Sequence, residues 1–134
     1  MSVSGWKGYT SDVTIGVSAT PTEIETIDIR EGAQNLWAEF SNANTSDLDG
    51  FEVAVNPFVG KDNTASFHVV ANTTASFTTD VQEPIRGCSA DLTNMQKNTT
   101  ALLWMEVKGL SQVRFRASAQ STGATTVGVK WSVR

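Results

Sequence analysis

Hydrophobic and polar positions alternate with a period of two along most of this chain. Between residues 102 and 133, three apolar runs are separated by Lys108-Gly109 and Ser121-Thr122-Gly123. Val113, Phe115, Ala117 and Ala119 alternate with Arg114, Arg116, Ser118 and Gln120, and Val127, Val129, Trp131 and Val133 alternate with Thr126, Gly128, Lys130 and Ser132. A period of two gives a strand one core face and one polar face, and short turns between such runs predict an antiparallel meander. The first run differs: Leu103, Met105 and Val107 share one phase, while Leu102 and Trp104 occupy the other. A strand apolar on both faces belongs in the middle of a sheet or under an interface.

The same alternation recurs upstream. Val13–Val17 predicts a short strand interrupted by Gly16. In Glu23–Arg30, Ile27 and Ile29 share a phase that Ile24 does not, which predicts a bulge near Thr26, and Glu31-Gly32 supplies a turn. Leu36, Ala38 and Phe40 point opposite to Trp37 and Glu39; Phe51, Val53 and Val55 opposite to Glu52, Ala54 and Asn56; Phe67, Val69 and Ala71 opposite to His68 and Val70. Ser76–Val81 predicts a more polar strand, and residues 88–100 a loop or a single helical turn around Leu92 and Met95. The expectation is an all-β fold: a two-sheet antiparallel β-sandwich of about eight or nine strands, jelly-roll-like or immunoglobulin-like in order.

Residues 1–12 contain Trp6 and Tyr9 with Gly5 and Gly8 around them. They are expected either as a flexible N-terminal arm preceding a single sandwich domain over 13–134, or as a first edge strand of that domain. A chain of 134 residues suits one domain and needs no staples. The single cysteine, Cys88, precludes an intrachain disulfide and a multi-cysteine metal site. No apolar run approaches the ~18 residues of a membrane span, and the start MSVSGWKGYTSD lacks the apolar core of a signal peptide, so neither membrane nor leader is expected. The N-x-[ST] triplets at Asn44, Asn72 and Asn98 are what a chain with 17 Thr and 8 Asn produces by chance.

Charge is uneven. Residues 1–62 hold ten acids and three bases, and residues 63–134 four acids and seven bases. Such asymmetry suits complementary contacts between neighbouring molecules, although drift within one domain gives the same pattern.

Candidate chemistry is sparse. The one histidine, His68, falls on a polar phase, and nothing places it beside Cys88 to form a nucleophile pair. The chain has no G-x-S-x-G elbow, no P-loop and no G-x-G-x-x-G, so no enzyme, cofactor or metal is expected. Asp47, Asp49, Glu52 and Asn44 could offer oxygens to calcium, but Asp and Asn before Gly50 are also ordinary turn residues. Arg114, Arg116, Lys130 and Arg134 fall on the polar phase of the final meander; a sequence pI near 4.8 argues against nucleic acid, which leaves a solvated face or a contact with an acidic protein surface. Trp37 and Trp104, if exposed, would allow a carbohydrate-binding sandwich by ring stacking.

The tail LLWMEVKGLSQVRFRASAQSTGATTVGVKW, with some support from F-E-V-A-V-N-P, resembles a segment of small all-β virion structural proteins of tailed bacteriophages. The resemblance covers about the last third of the chain. It implies a head decoration or cement protein, or another head or tail component, made in the host cytoplasm and located in the virion. It further implies the major capsid protein or other virion proteins as partners, and a homo-oligomer, dimer or trimer. Trp6 and Tyr9 are then the expected anchors, and Arg114, Arg116 and Lys130 the expected polar contacts.

Overall fold

The computed structural model describes residues 6–16, 21–43, 46–57, 67–72, 96–119 and 123–134. Among these are eight strands: β1 (Trp6–Ile15), β2 (Thr22–Asp28), β3 (Asn35–Asn42), β4 (Leu48–Asn56), β5 (His68–Asn72), β6 (Thr99–Glu106), β7 (Gln112–Ala119) and β8 (Thr125–Val133). They form two four-stranded antiparallel sheets, β1-β8-β3-β6 (sheet A) and β2-β7-β4-β5 (sheet B). The pairing is nested: β4 with β5, β3 with β6, β2 with β7, β1 with β8. Every connection but β4–β5 changes sheet.

Alternation decides which side chains meet between the sheets. Leu36, Ala38 and Phe40 of β3, Leu103 and Met105 of β6, and Val127, Val129 and Val133 of β8 face Ile24 and Ile27 of β2, Phe51, Val53 and Val55 of β4, and Val113, Phe115 and Ala117 of β7 in one continuous core. At its centre Phe40 meets Phe51 and Phe115 edge-on, with ring centroids 4.8 and 4.9 Å away. Burying each such ring contributes about 1.5–3 kcal/mol, and the edge-to-face geometry adds to it. Ile24 and Ile27 both reach the core because β2 shifts register between Glu23 and Glu25, close to the bulge expected near Thr26.

The tail does not fold as a meander. β6 and β8 flank β3 in sheet A, while β7 lies between β2 and β4 in sheet B. Lys108-Gly109 does form a turn, closed by Leu110 N–H donating to Val107 O at 3.0 Å, with Gly109 at φ +85°, a value glycine adopts without a Cβ penalty. Ser111 N–H then donates to Asn56 O and Ser111 O accepts from Ile29 N–H, both at 2.8 Å, which hands the chain to the opposite sheet. The physical reason lies in the three core phases. Each run has one face to bury, and placing β7 across from β6 and β8 lets those faces cover one another.

β6 is not central either: it is the outermost described strand of sheet A, with Leu102 and Trp104 half-buried on its outer phase. Residues 6–12, expected as arm or edge strand, pair along β8 in register Trp6↔Val133 to Thr10↔Val129, with a shift before Val13. The expected strand Ser76–Val81, the loop around Leu92 and Met95, and Cys88 lie outside the described residues.

Candidate functional site

The two outer faces of the sandwich differ in kind. On sheet A the outward phase is set by two cross-strand rows: Ser132–Trp37–Trp104 and Lys130–Glu39–Leu102, each running across β8, β3 and β6. Trp37 is the exposed large hydrophobic residue among those described, at 38%. Its ring leans on Trp104, with centroids 5.9 Å apart and a 36° tilt. Trp104 is held in turn by its indole Nε1–H donating to Asn35 Oδ1 at 3.1 Å. Beside this pair Lys130 Nζ and Glu39 Oε1 form an ion pair at 3.1 Å, both largely in solvent. Trp37, Glu39, Leu102, Lys130 and Ser132 line a groove of about 370 Å³ that reaches to Gly8 and Arg134. Ser132 Oγ is buried beneath its wall and has no hydrogen-bond partner among the described residues.

On sheet B the outer face is polar in sequence, yet most of its β4 and β7 positions are buried. Glu52 of β4, 2% exposed, lies in register with Arg116 of β7. Arg116 reaches Glu52 Oε1 through Nε at 2.6 Å, and Arg114 approaches the same oxygen at 3.8 Å. The Arg114 guanidinium is 4.4 Å from the centroid of the Phe67 ring, a cation–π contact. Burial holds the pKa of Arg114 below its ordinary value and the charge of Arg116 adds to that, while Glu52 and Glu23 pull the other way. The neighbouring row is cross-bonded: Asn56 Nδ2 donates to Gln112 Oε1 at 3.1 Å and Gln112 Nε2 to the Asp28 carboxylate, Oδ1, at 3.0 Å.

The expected contact residues are therefore split. Arg114 and Arg116 do not share a face with Lys130, because β7 and β8 belong to different sheets. The two arginines are engaged with Glu52, whereas Lys130 stands in the open beside Glu39. Trp6 and Tyr9 lie on β1, with Tyr9 in register with Lys130.

The oxygen cluster considered for calcium is dispersed. Asp47 Oδ1 accepts from Lys97 N–H at 2.9 Å, Glu52 faces the arginines, and Asn44 lies outside the described residues. Among the described residues no three His, Cys, Asp or Glu side chains group around a metal position. His68 lies exposed on β5.

The groove residues Glu39, Leu102 and Ser132 carry no motif. Their signal was combinatorial: Trp37 shares the polar phase with Glu39, and Trp104 shares its phase with Leu102 on a strand that is apolar on both faces.

No family model matches the chain, and no curated protein sequence matches it. Solved structures with a related chain trace include the SPBc2 prophage-derived protein YomS, 16% identical over 100% of this chain and 98% of that one, with a TM-score of 0.49. The K2 cleaved adhesin domain of Lys-gingipain is 14% identical over 79% of this chain and 60% of its own, with a TM-score of 0.47. Infectious bursal disease virus Gx strain gives 9% identity over 98% of this chain and 32% of that chain, with a TM-score of 0.46.

Proposed function

We propose that this protein is a non-enzymatic structural component of a virion, and that its role is to decorate the assembled phage head and hold it together. The observation that carries this reading is the β1 edge. Among the described residues β1 is paired on one side only, and its first half brings Trp6 and Tyr9 to that border, with Lys130 next in register to Tyr9. An edge strand offers unpaired N–H and C=O groups to a neighbouring chain, and aromatic anchors set the fit. The nested pairing is a jelly-roll order, an architecture shared by viral capsid and lectin domains; this supports the reading by analogy of fold. The tail resemblance to phage virion proteins points the same way.

In this reading Trp6, Tyr9 and Lys130 are the shell contacts, and Arg114 and Arg116 organise sheet B through Glu52. A protein that binds only the assembled shell stabilises that state by mass action, by about 2.7 kcal/mol per site at a hundredfold excess over Kd.

The test is light scattering and co-sedimentation with assembled shells of the candidate source particle. A dimer or trimer that pellets with shells but not with free capsid subunits is expected, with binding reduced by Trp6→Ala and Tyr9→Ala. A monomer that ignores shells would refute the decoration role, and capture by purified tails instead would move the protein to that part of the virion.

A further inference from the structure

We infer that the groove on the outer face of sheet A is a glycan-binding site, with Trp37 as its stacking platform. The groove shares Lys130 with the shell contact proposed above, whereas its stacking residue, Trp37, takes no part in that contact. The argument starts from the chemistry a pyranose ring presents: an apolar face of C–H groups bordered by hydroxyls that both donate and accept.

The groove matches that combination. Trp37 supplies an exposed indole, fixed in orientation by Trp104, which is itself anchored to Asn35. Leu102 extends the apolar wall. Beside it stand the Glu39 carboxylate and the Lys130 ammonium, an acceptor and a donor for sugar hydroxyls.

Size and charge select among occupants. About 370 Å³ is at the lower end of small-molecule sites, which run from ~300 to ~1,000 Å³. One or two sugar rings fill such a volume. A protein partner needs roughly 800 Å² of contact per side, and Trp37 is the one exposed large hydrophobic residue among those described. Nucleic acid is disfavoured because Glu39 neutralises Lys130 at 3.1 Å, leaving a carboxylate where a phosphate would run.

The pairing of Glu39 with Lys130 also pre-orients both side chains, so fewer rotors are frozen when hydroxyls bind to them. Trp104 leans on Trp37 at a 36° tilt, and the exposed part of the Trp37 ring is the stacking surface.

The experiment probes the full chain on an array of neutral hexose, N-acetylhexosamine and uronate oligosaccharides. The strongest hit is then titrated in solution, followed by tryptophan fluorescence and calorimetry. Wild-type binding with Kd between micromolar and millimolar is expected, and Trp37→Ala should weaken it by about tenfold or more. Trp37 is exposed, so this variant should keep the circular dichroism and melting temperature of the parent. Glu39→Ala serves as a second variant, with a loss of about threefold to tenfold. Absence of any glycan binding at millimolar concentration overturns the inference, as does binding unaffected by Trp37→Ala and Glu39→Ala. Shell co-sedimentation by Trp37→Ala is measured in parallel. Loss of glycan binding with shell binding retained separates this site from the β1 edge, and failure of shell binding leaves the glycan result readable.

Discussion

Replacing Glu52 by Gln tests how sheet B holds its buried charges. The carboxylate is almost wholly inaccessible, Arg114 is nearly so, and only about a quarter of Arg116 reaches solvent. Removing the negative charge leaves two guanidinium groups on adjacent positions of β7's outer phase with only the exposed Glu23, across on β2, as a nearby anion among the described residues. Breaking a buried pair in this way typically destabilises by 3–5 kcal/mol, because the remaining charge stays desolvated. Gln preserves volume and still accepts one bond from Arg116, so a loss of about 3 kcal/mol is expected. That is a large part of the ~5–15 kcal/mol a domain possesses, and corresponds to a fall of roughly 10–15 °C in Tm. Urea denaturation at neutral pH measures it, with an unchanged slope confirming that the native state is intact. A loss below about 1 kcal/mol would refute the reasoning and reclassify the triad as a water-screened surface pair. The triple change Glu52→Met, Arg114→Met, Arg116→Met keeps volume and removes every charge. It should return to within about 1 kcal/mol of the parent or exceed it. If the triple variant is as unstable as Glu52→Gln, the loss belongs to packing against Phe67 and not to charge.

Two further outcomes follow from packing. Phe40→Ala removes the ring shared by Phe51 and Phe115 in a fully buried cluster and should cost about 3–5 kcal/mol by urea denaturation; a cost under 1 kcal/mol would mean that the core collapses into the gap. Gly8→Ala places a Cβ 2.2 Å from the Trp131 ring, so a loss of about 1–3 kcal/mol is expected in thermal melts. The same change made in a Trp131→Ala background should cost much less, and equal costs in both backgrounds would show that the indole is not what Gly8 accommodates.

Much of the inner face was legible from alternation alone, because Phe40, Phe51, Val53, Phe115 and Val127 all sit in phases that only a core explains. The offset of Ile24 from Ile27 likewise announced the irregularity that brings both inward. What period two cannot convey is which strand lies beside which. Lys108-Gly109 makes the same kind of turn whether the chain doubles back or crosses the sandwich, and the deciding bonds come from Asn56 and Ile29, far away in sequence. Nor does alternation say what covers a polar phase. Arg114, Arg116 and Glu52 look solvated until their neighbours are known. A hint was present in Ala54, a small apolar residue between Glu52 and Asn56 that is fully buried although it occupies the polar phase. The groove was half legible: the two tryptophans were visible as aromatics out of phase, whereas Ser132 and Glu39 join them only through the register of β8, β3 and β6.

The nested pairing also fixes an order of events. Among the described strands only β4 and β5 are sequence neighbours in one sheet; each pair outside them, up to Trp6↔Val133, must close a longer loop before it is rewarded. β8 lies between β1 and β3, so sheet A stays in two pieces until β8 is in place. Such a chain has little to gain from folding before β8 is made, and its refolding belongs among the slow all-β cases, milliseconds to seconds, which stopped-flow fluorescence of its four tryptophans would time directly. Docking of the β1 edge onto sheet A is thereby deferred until β8 is present.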